Sequence, residues 1–101
     1  MLCRGGDSKI IIGNKVFIGP EVSMCCASHE IGGYTSRAGK NTYNSIKVGN
    51  GCWIGMRSVI LPGVNIADGC IIAAGSVVTK STEPNSLYAG VPARKIKDLS
   101  L

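Results

Sequence analysis

Branched apolar residues recur at every sixth position through the middle of the chain: Val48, Ile54, Ile60, Ile66, Ile72 and Val78. The residue four places after each is compact: Cys52, Ser58, Val64, Cys70, Ser76 and Thr82. A helix repeats every 3.6 residues and a plain strand every 2, so neither produces a strict six. A short strand followed by a bend does. Three such units carry the chain once around a triangular coil, stacking Val48 under Ile66, Ile54 under Ile72 and Ile60 under Val78. The expected separation is the ordinary interstrand spacing of about 4.7–4.9 Å. The pattern predicts an all-β chain, a parallel β-helix of six-residue units.

Extending the pattern outward gives one domain over 1–101. Residues 1–11 read as a partial, frayed first coil and 12–29 as the first clear one, with Ile12, Ile18 and Met24 at the repeat position. The period then fails. Glu30 to Ser45 contains Gly32-Gly33, Gly39, Lys40 and Asn41, lacks branched apolar residues after Ile31, and predicts a loop over 30–47 that leaves the coil. The phase survives it, because Ile12 and Val48 differ by a multiple of six. Two coils follow over 48–83, with bends at Asn50-Gly51, Pro62-Gly63, Asp68-Gly69 and Ala74-Gly75. Segment 84–101 holds a last extended stretch, Ser86 to Val91, then Pro92 to Leu99, whose opening proline followed by Ala, Arg and Lys predicts a short terminal helix or turn.

Composition adds three constraints. With 45% hydrophobic residues and five aromatics in 101 residues, the core is one of small branched side chains. The end coils of a solenoid stay exposed unless capped or covered by another subunit, so an oligomer is expected. The charge of +5 suits an anionic ligand, while the scattered basic residues and the lack of interleaved aromatics argue against nucleic acid. No apolar run is long enough to span a membrane, Met1 to Gly6 has no apolar signal core, and the default compartment is the cytoplasm with reduced thiols. Cys52 and Cys70 read as small buried hydrophobes at equivalent positions of successive coils.

His29, the only histidine, sits where the loop departs, between Ser28 and Glu30. Imidazole, with an ordinary pKa near about 6.5, is the side chain suited to act as a base around neutral pH. A lone histidine at a corner is commonly just a solvated polar residue; its position at the one break in the repeat sets this one apart. Cys25, Cys26 and His29 fall short of a zinc set, since adjacent cysteines point to opposite faces of a strand, and no metal is expected. Either cysteine next to His29 leaves open a thiol nucleophile paired with an imidazole base. The glycines follow the six-residue period and form no nucleotide-type phosphate loop.

The stretches Val48-Gly49-Asn50-Gly51-Cys52-Trp53-Ile54-Gly55, Ile60-Leu61-Pro62-Gly63-Val64, Ile72 to Lys80 and Ala89-Gly90-Val91-Pro92-Ala93-Arg94 resemble the C-terminal half of hexapeptide-repeat acyltransferases. The likeness is to the maltose, galactoside and serine O-acetyltransferases and the sugar acetyltransferases of surface-polysaccharide synthesis, and it covers nearly everything from Ile12 onward. It implies a left-handed β-helix, usually a homotrimer, with an acetyl-CoA site between neighbouring subunits. It implies His29 as general base on the acceptor hydroxyl and a backbone amide near Gly55 and Met56 facing the thioester oxygen. Ala74, Thr79, Lys80 and Arg94 match positions lining the cofactor groove, Ala73 and Gly75 leave room for the pantetheine arm, and Lys95 or Lys97 joins Lys80 and Arg94 at the phosphates. Trp53 is expected near the subunit contact. The implied function is an acetyl-CoA-dependent O-acetyltransferase acting on a hydroxyl of a sugar or other small acceptor. The alternative is an N-terminally shortened, non-catalytic β-helix, a scaffold or trimerisation module that keeps CoA binding.

Overall fold

The computed structural model describes residues 7–101; of the expected partial first coil over 1–11, residues 1–6 lie outside them. The first coil consists of β1 (Ile10–Ile12), β2 (Phe17–Ile18) and β3 (Ser23–Met24), and β4 (Ala27–Ile31) and β5 (Ala38–Tyr43) follow. The second coil is β6 (Ile46–Val48), β7 (Trp53–Ile54) and β8 (Val59–Ile60), and the third is β9 (Asn65–Ile66), β10 (Ile71–Ile72) and β11 (Val77–Val78). The chain ends in β12 (Ser86–Gly90) and β13 (Ala93–Asp98).

Each strand lies parallel to its equivalent in the next coil, giving three faces in the orders β1-β6-β9, β2-β7-β10-β12 and β3-β8-β11. The repeat residues pair as the six-residue period requires: Val48 with Ile66, Ile54 with Ile72, Ile60 with Val78. Ile12 pairs with Val48 across the excursion, so the phase is kept. These side chains fill the axis, where Ile54, Ile60 and Ile72 are fully buried. No helix of the described residues is long and apolar enough to cross a membrane.

The bends repeat with the coils. Lys15, Gly51 and Gly69 occupy one corner and Glu21, Arg57 and Gly75 the next, all with φ between 54° and 72°. Asn50 Oδ1 accepts from the Asn14 amide and Asp68 Oδ1 from the Asn50 amide, each at 2.7 Å, so one corner carries a side-chain-to-backbone ladder. Inside, the compact residues tie bends together: the Cys52 thiol donates to the Ala67 carbonyl, Ser58 Oγ to Ala73 and the Cys70 thiol to Glu83. A buried polar group is thereby paired instead of orphaned. Burial pushes the Cys52 thiol up from its ordinary value. Among the described residues Cys25, Cys52 and Cys70 are free, and Cys26 is disulfide-bonded.

Two segments differ from expectation. The excursion is an antiparallel hairpin of β4 on β5, pairing Ala27 with Tyr43 and His29 with Asn41. The terminal helix or turn is replaced by β13, which pairs antiparallel with β12. Helix propensity is a weak preference of a few tenths of a kcal/mol per residue, and the open edge of β12 offers a row of backbone partners that overrides it.

Replacing Ile60, fully buried at the centre of its stack, by Ala is expected to destabilise the fold by about 2–5 kcal/mol. Trp53→Ala, at a half-exposed position, should cost clearly less, as read from chemical-denaturation midpoints.

Candidate functional site

The residue just before each repeat residue points outward, and the three faces differ in what they present there. One shows Ile11, Lys47 and Asn65, another Ser23, Val59 and Val77, and the third Phe17, Trp53, Ile71 and Leu87. Only the third is apolar and aromatic throughout. It forms the floor of an open groove of about 500 Å³, walled at the following corner by Gly19, Pro20, Gly55, Met56, Ala73 and Ala74. Phe17, Pro20, Ile71 and Leu87 were not singled out by sequence reasoning. Phe17, Trp53 and Ile71 are spaced by multiples of eighteen, an outward column legible in the sequence, whereas Leu87 falls sixteen residues after Ile71 and leaves no such mark.

Pro20, Met56 and Ala74 are successive copies of one corner position. The Gly55 amide is committed to the Ile72 carbonyl at 2.8 Å, the Ala73 amide to Tyr88 and the Gly75 amide to Met56. Met56 and Ala74 donate no backbone hydrogen bond among the described residues, and proline has no N–H to give. Two unpaired amides therefore stand on the groove wall, one coil apart by about 4.7–4.9 Å. The close packing needs Gly55: a Cβ there would lie 2.6 Å from the Ala74 nitrogen.

The terminal hairpin closes one end of the groove floor. Arg94 pairs with Ala89 and Lys97 with Leu87, on the outer side of β12, while Lys95 pairs with Tyr88, whose ring packs toward the core. Lys95 Nζ lies 2.6 Å from Asp98 and 3.5 Å from Glu83. Its hydrogen bond to Asp98 raises the Lys95 pKa and lowers that of Asp98. Arg94 and Lys97 enter no ion pair among the described residues. Of the alternatives Lys95 and Lys97, the structure ties up the first and leaves the second available.

Thr79 and Lys80 lie elsewhere, exposed where the chain leaves β11. In the sheet β11-β8-β3, the same end of β3 leads into the hairpin that carries His29. Within one chain, then, Gly55, Met56, Ala73 and Ala74 share a corner with the groove, and Thr79, Lys80 and the His29 hairpin share the next corner. The structure does not bring the two sets together in one pocket.

His29 is exposed on β4, and its Nδ1 lies 3.0 Å from the Gly39 carbonyl. A carbonyl only accepts, so Nδ1 is the donor in this contact, and in a neutral ring that leaves Nε2 as the nitrogen with the lone pair. Gly39 is reached because the register shifts between His29 and Ile31, where β5 has one residue more than β4. Sequence reasoning did not identify this partner, since a backbone acceptor ten residues away leaves no mark in composition. Cys25 is half-buried and its thiol donates to the Ala27 carbonyl, while Cys26 is disulfide-bonded; neither is paired with the imidazole.

Residues 45–80 match the family described as bacterial transferase hexapeptide (six repeats). The chain is 39% identical over 94 residues to galactoside O-acetyltransferase of Escherichia coli, covering 93% of this chain and 46% of that protein. A solved galactoside acetyltransferase in complex with coenzyme A superposes with a TM-score of 0.83 at 40% identity, over 90% of this chain and 46% of that one. A hexapeptide-repeat acetyltransferase from Vibrio cholerae complexed with acetyl coenzyme A gives a TM-score of 0.81 at 29% identity, over 98% and 64%. The chain spans about half the length of the galactoside relatives it matches. With these structures it shares the left-handed parallel β-helix.

Gly39→Ala would place a Cβ 2.9 Å from the Glu30 carbonyl and 3.3 Å from Gly32. The expected outcome is displacement of β5 and loss of the His29 bond, seen by NMR as faster exchange of the imidazole Nδ1 proton. An unchanged imidazole signal would count against the hairpin as the element that fixes the ring.

Proposed function

We propose that this chain, whose residues 45–80 match the bacterial transferase hexapeptide repeat, transfers an acetyl group from acetyl-CoA to a hydroxyl of a sugar or other small acceptor, with His29 as general base. The observation that carries the proposal is the Nδ1 contact of His29 with the Gly39 carbonyl, which supports an imidazole held with a basic Nε2 at the one break in the repeat. The likeness to proteins named as galactoside O-acetyltransferases and solved with coenzyme A supports the donor and the class of acceptor.

A thioester is already activated, so the protein's task is to align it, take one proton and steady one oxyanion. Nε2 of His29 accepts the acceptor's hydroxyl proton as its oxygen attacks the thioester carbonyl carbon. The carbon–sulfur bond then breaks, the sulfur leaves with a proton, and the products are an O-acetyl ester and free CoA. No acyl-enzyme is required. The unpaired Met56 amide is the donor assigned to the oxyanion, and that of Ala74 faces the pantetheine arm, for which Ala73 and Ala74 leave room. Arg94 and Lys97 meet the phosphates at the hairpin, Arg by a bidentate fork.

Thr79, Lys80 and His29 face a different corner from the groove, so one cofactor touching both sets needs two copies of the chain. A homotrimer satisfies this by setting the groove corner of each copy against the His29 corner of the next. The exposed Phe17, Trp53 and Leu87 column lies along that same cleft.

The test is release of free thiol from acetyl-CoA in the presence of a panel of sugars and small alcohols. His29→Ala is expected to lower acceptor-dependent release by about 10²–10⁴-fold while leaving oligomeric state and CoA binding intact. Equal turnover in the variant would overturn the base assignment. Absence of any acceptor-dependent release in the native chain would favour the scaffold reading, and a monomer in sedimentation would remove the shared cleft.

A further inference from the structure

Ser76 lies under the groove wall, 1% exposed, and the function proposed above gives its hydroxyl no role. Its Oγ–H donates to the Ala73 carbonyl at 2.7 Å, and the same Oγ accepts the Gly90 amide at 3.2 Å. Ser58 Oγ, one coil earlier in the same column, donates to the same Ala73 carbonyl at 3.1 Å. The result is a buried chain of hydrogen bonds running from the second coil, through the wall residue Ala73, to the turn of the terminal hairpin.

That turn needs a tether. The hairpin is seated on the coil by the pairing of Leu87 and Tyr88 with β10 and by the Ala73 amide on the Tyr88 carbonyl. At its far end the Leu99 amide donates to Asn85. Beyond Tyr88, toward Gly90 and Ala93, the Ser76 hydroxyl supplies the one hydrogen bond from the coil body among the described residues. Ala89, next to Gly90, pairs with Arg94, so the Ser76 contact lies one residue from the pair that sets the guanidinium. Serine suits the position because its hydroxyl accepts from one side and donates to the other while being 1% exposed.

We propose that Ser76 is a positioning residue that holds the Arg94-bearing turn of the hairpin against the groove wall, so that the free cations meet the phosphates of a CoA thioester whose pantetheine arm lies on Ala73 and Ala74. The inference rests on the cofactor reading above. It predicts selective damage: the phosphate end of the cofactor loses its partners and the pantetheine end does not.

Binding of CoA and of pantetheine, which lacks the nucleotide phosphates, is measured by calorimetry on the intact native chain, Ser76→Ala, Ser76→Cys and Ser58→Ala. Ser76→Ala is expected to bind CoA about tenfold more weakly, the equivalent of one lost buried hydrogen bond, with pantetheine affinity unchanged and faster hydrogen exchange at the Gly90 amide. Ser58→Ala, which loses a hydroxyl on the same carbonyl without touching the hairpin, should keep both affinities. Ser76→Cys, matching the thiols at Cys52 and Cys70, should fall between native and Ala, and it carries the comparison if Ser76→Ala does not fold. Unchanged CoA affinity in Ser76→Ala, or equal loss of CoA and pantetheine, would overturn the positioning role alone. A native chain that binds neither would overturn the cofactor reading and this role with it.

Discussion

The parallel stacking of Ile54 on Ile72, repeated on every face, is the constraint on which the rest of the molecule depends. A coil cannot shift by one residue without turning its branched side chain outward and a polar one inward, because side chains alternate along each strand. It cannot lengthen without moving a bend out of line with those above and below, and the Asn14, Asn50 and Asp68 ladder would then lose its partners. Register is thus fixed twice, by burial inside and by hydrogen bonds at the corners. The excursion between β3 and β6 is tolerated because it leaves and returns at one phase, so Ile12 still meets Val48.

A scaffold this regular divides labour among its positions. Inward residues fill the axis, glycines such as Gly55 let neighbouring backbones meet, and outward residues are free to vary from face to face. One face has used that freedom for an aromatic and aliphatic column, Phe17, Trp53, Ile71 and Leu87, where a soluble surface would be polar. The adjoining corner presents amides at Met56 and Ala74 that the coil ladder does not consume. Neither feature contributes to closing the solenoid, which is why both point to a ligand or a neighbouring copy.

Periodicity made the coils legible before any coordinate was known, because the six-residue pattern is imposed by burial and survives in composition. It could not reveal what pairing decides. Residues Ala38 to Tyr43 contain Gly, Lys and Asn and read as loop, yet β5 forms because β4 supplies its hydrogen bonds. Pro92 to Asp98 reads as a helix start, yet the edge of β12 captures it as β13. The choice between Lys95 and Lys97 was equally hidden, since it turns on which side of the strand each lysine occupies. Lys95 is held in ion pairs with Glu83 and Asp98, whereas Lys97 opposes Leu87 at the end of the groove.

The surroundings of His29 differ from any position inside the repeat. Inside the repeat each side chain has two fates, a place in the axis or a place in an outward column, and most of the backbone is spent on the coil above and below. Neither gives an imbalance between the two nitrogens of an imidazole. A hairpin does, because antiparallel pairing sets a second strand beside the ring and an extra residue in β5 turns a carbonyl toward Nδ1. Gly39 is the residue that permits this, since any Cβ there would press on the Glu30 carbonyl and separate the strands. In the proposed reading the imidazole is oriented by a backbone oxygen, the Gly39 carbonyl, which strand register and one missing side chain place beside Nδ1.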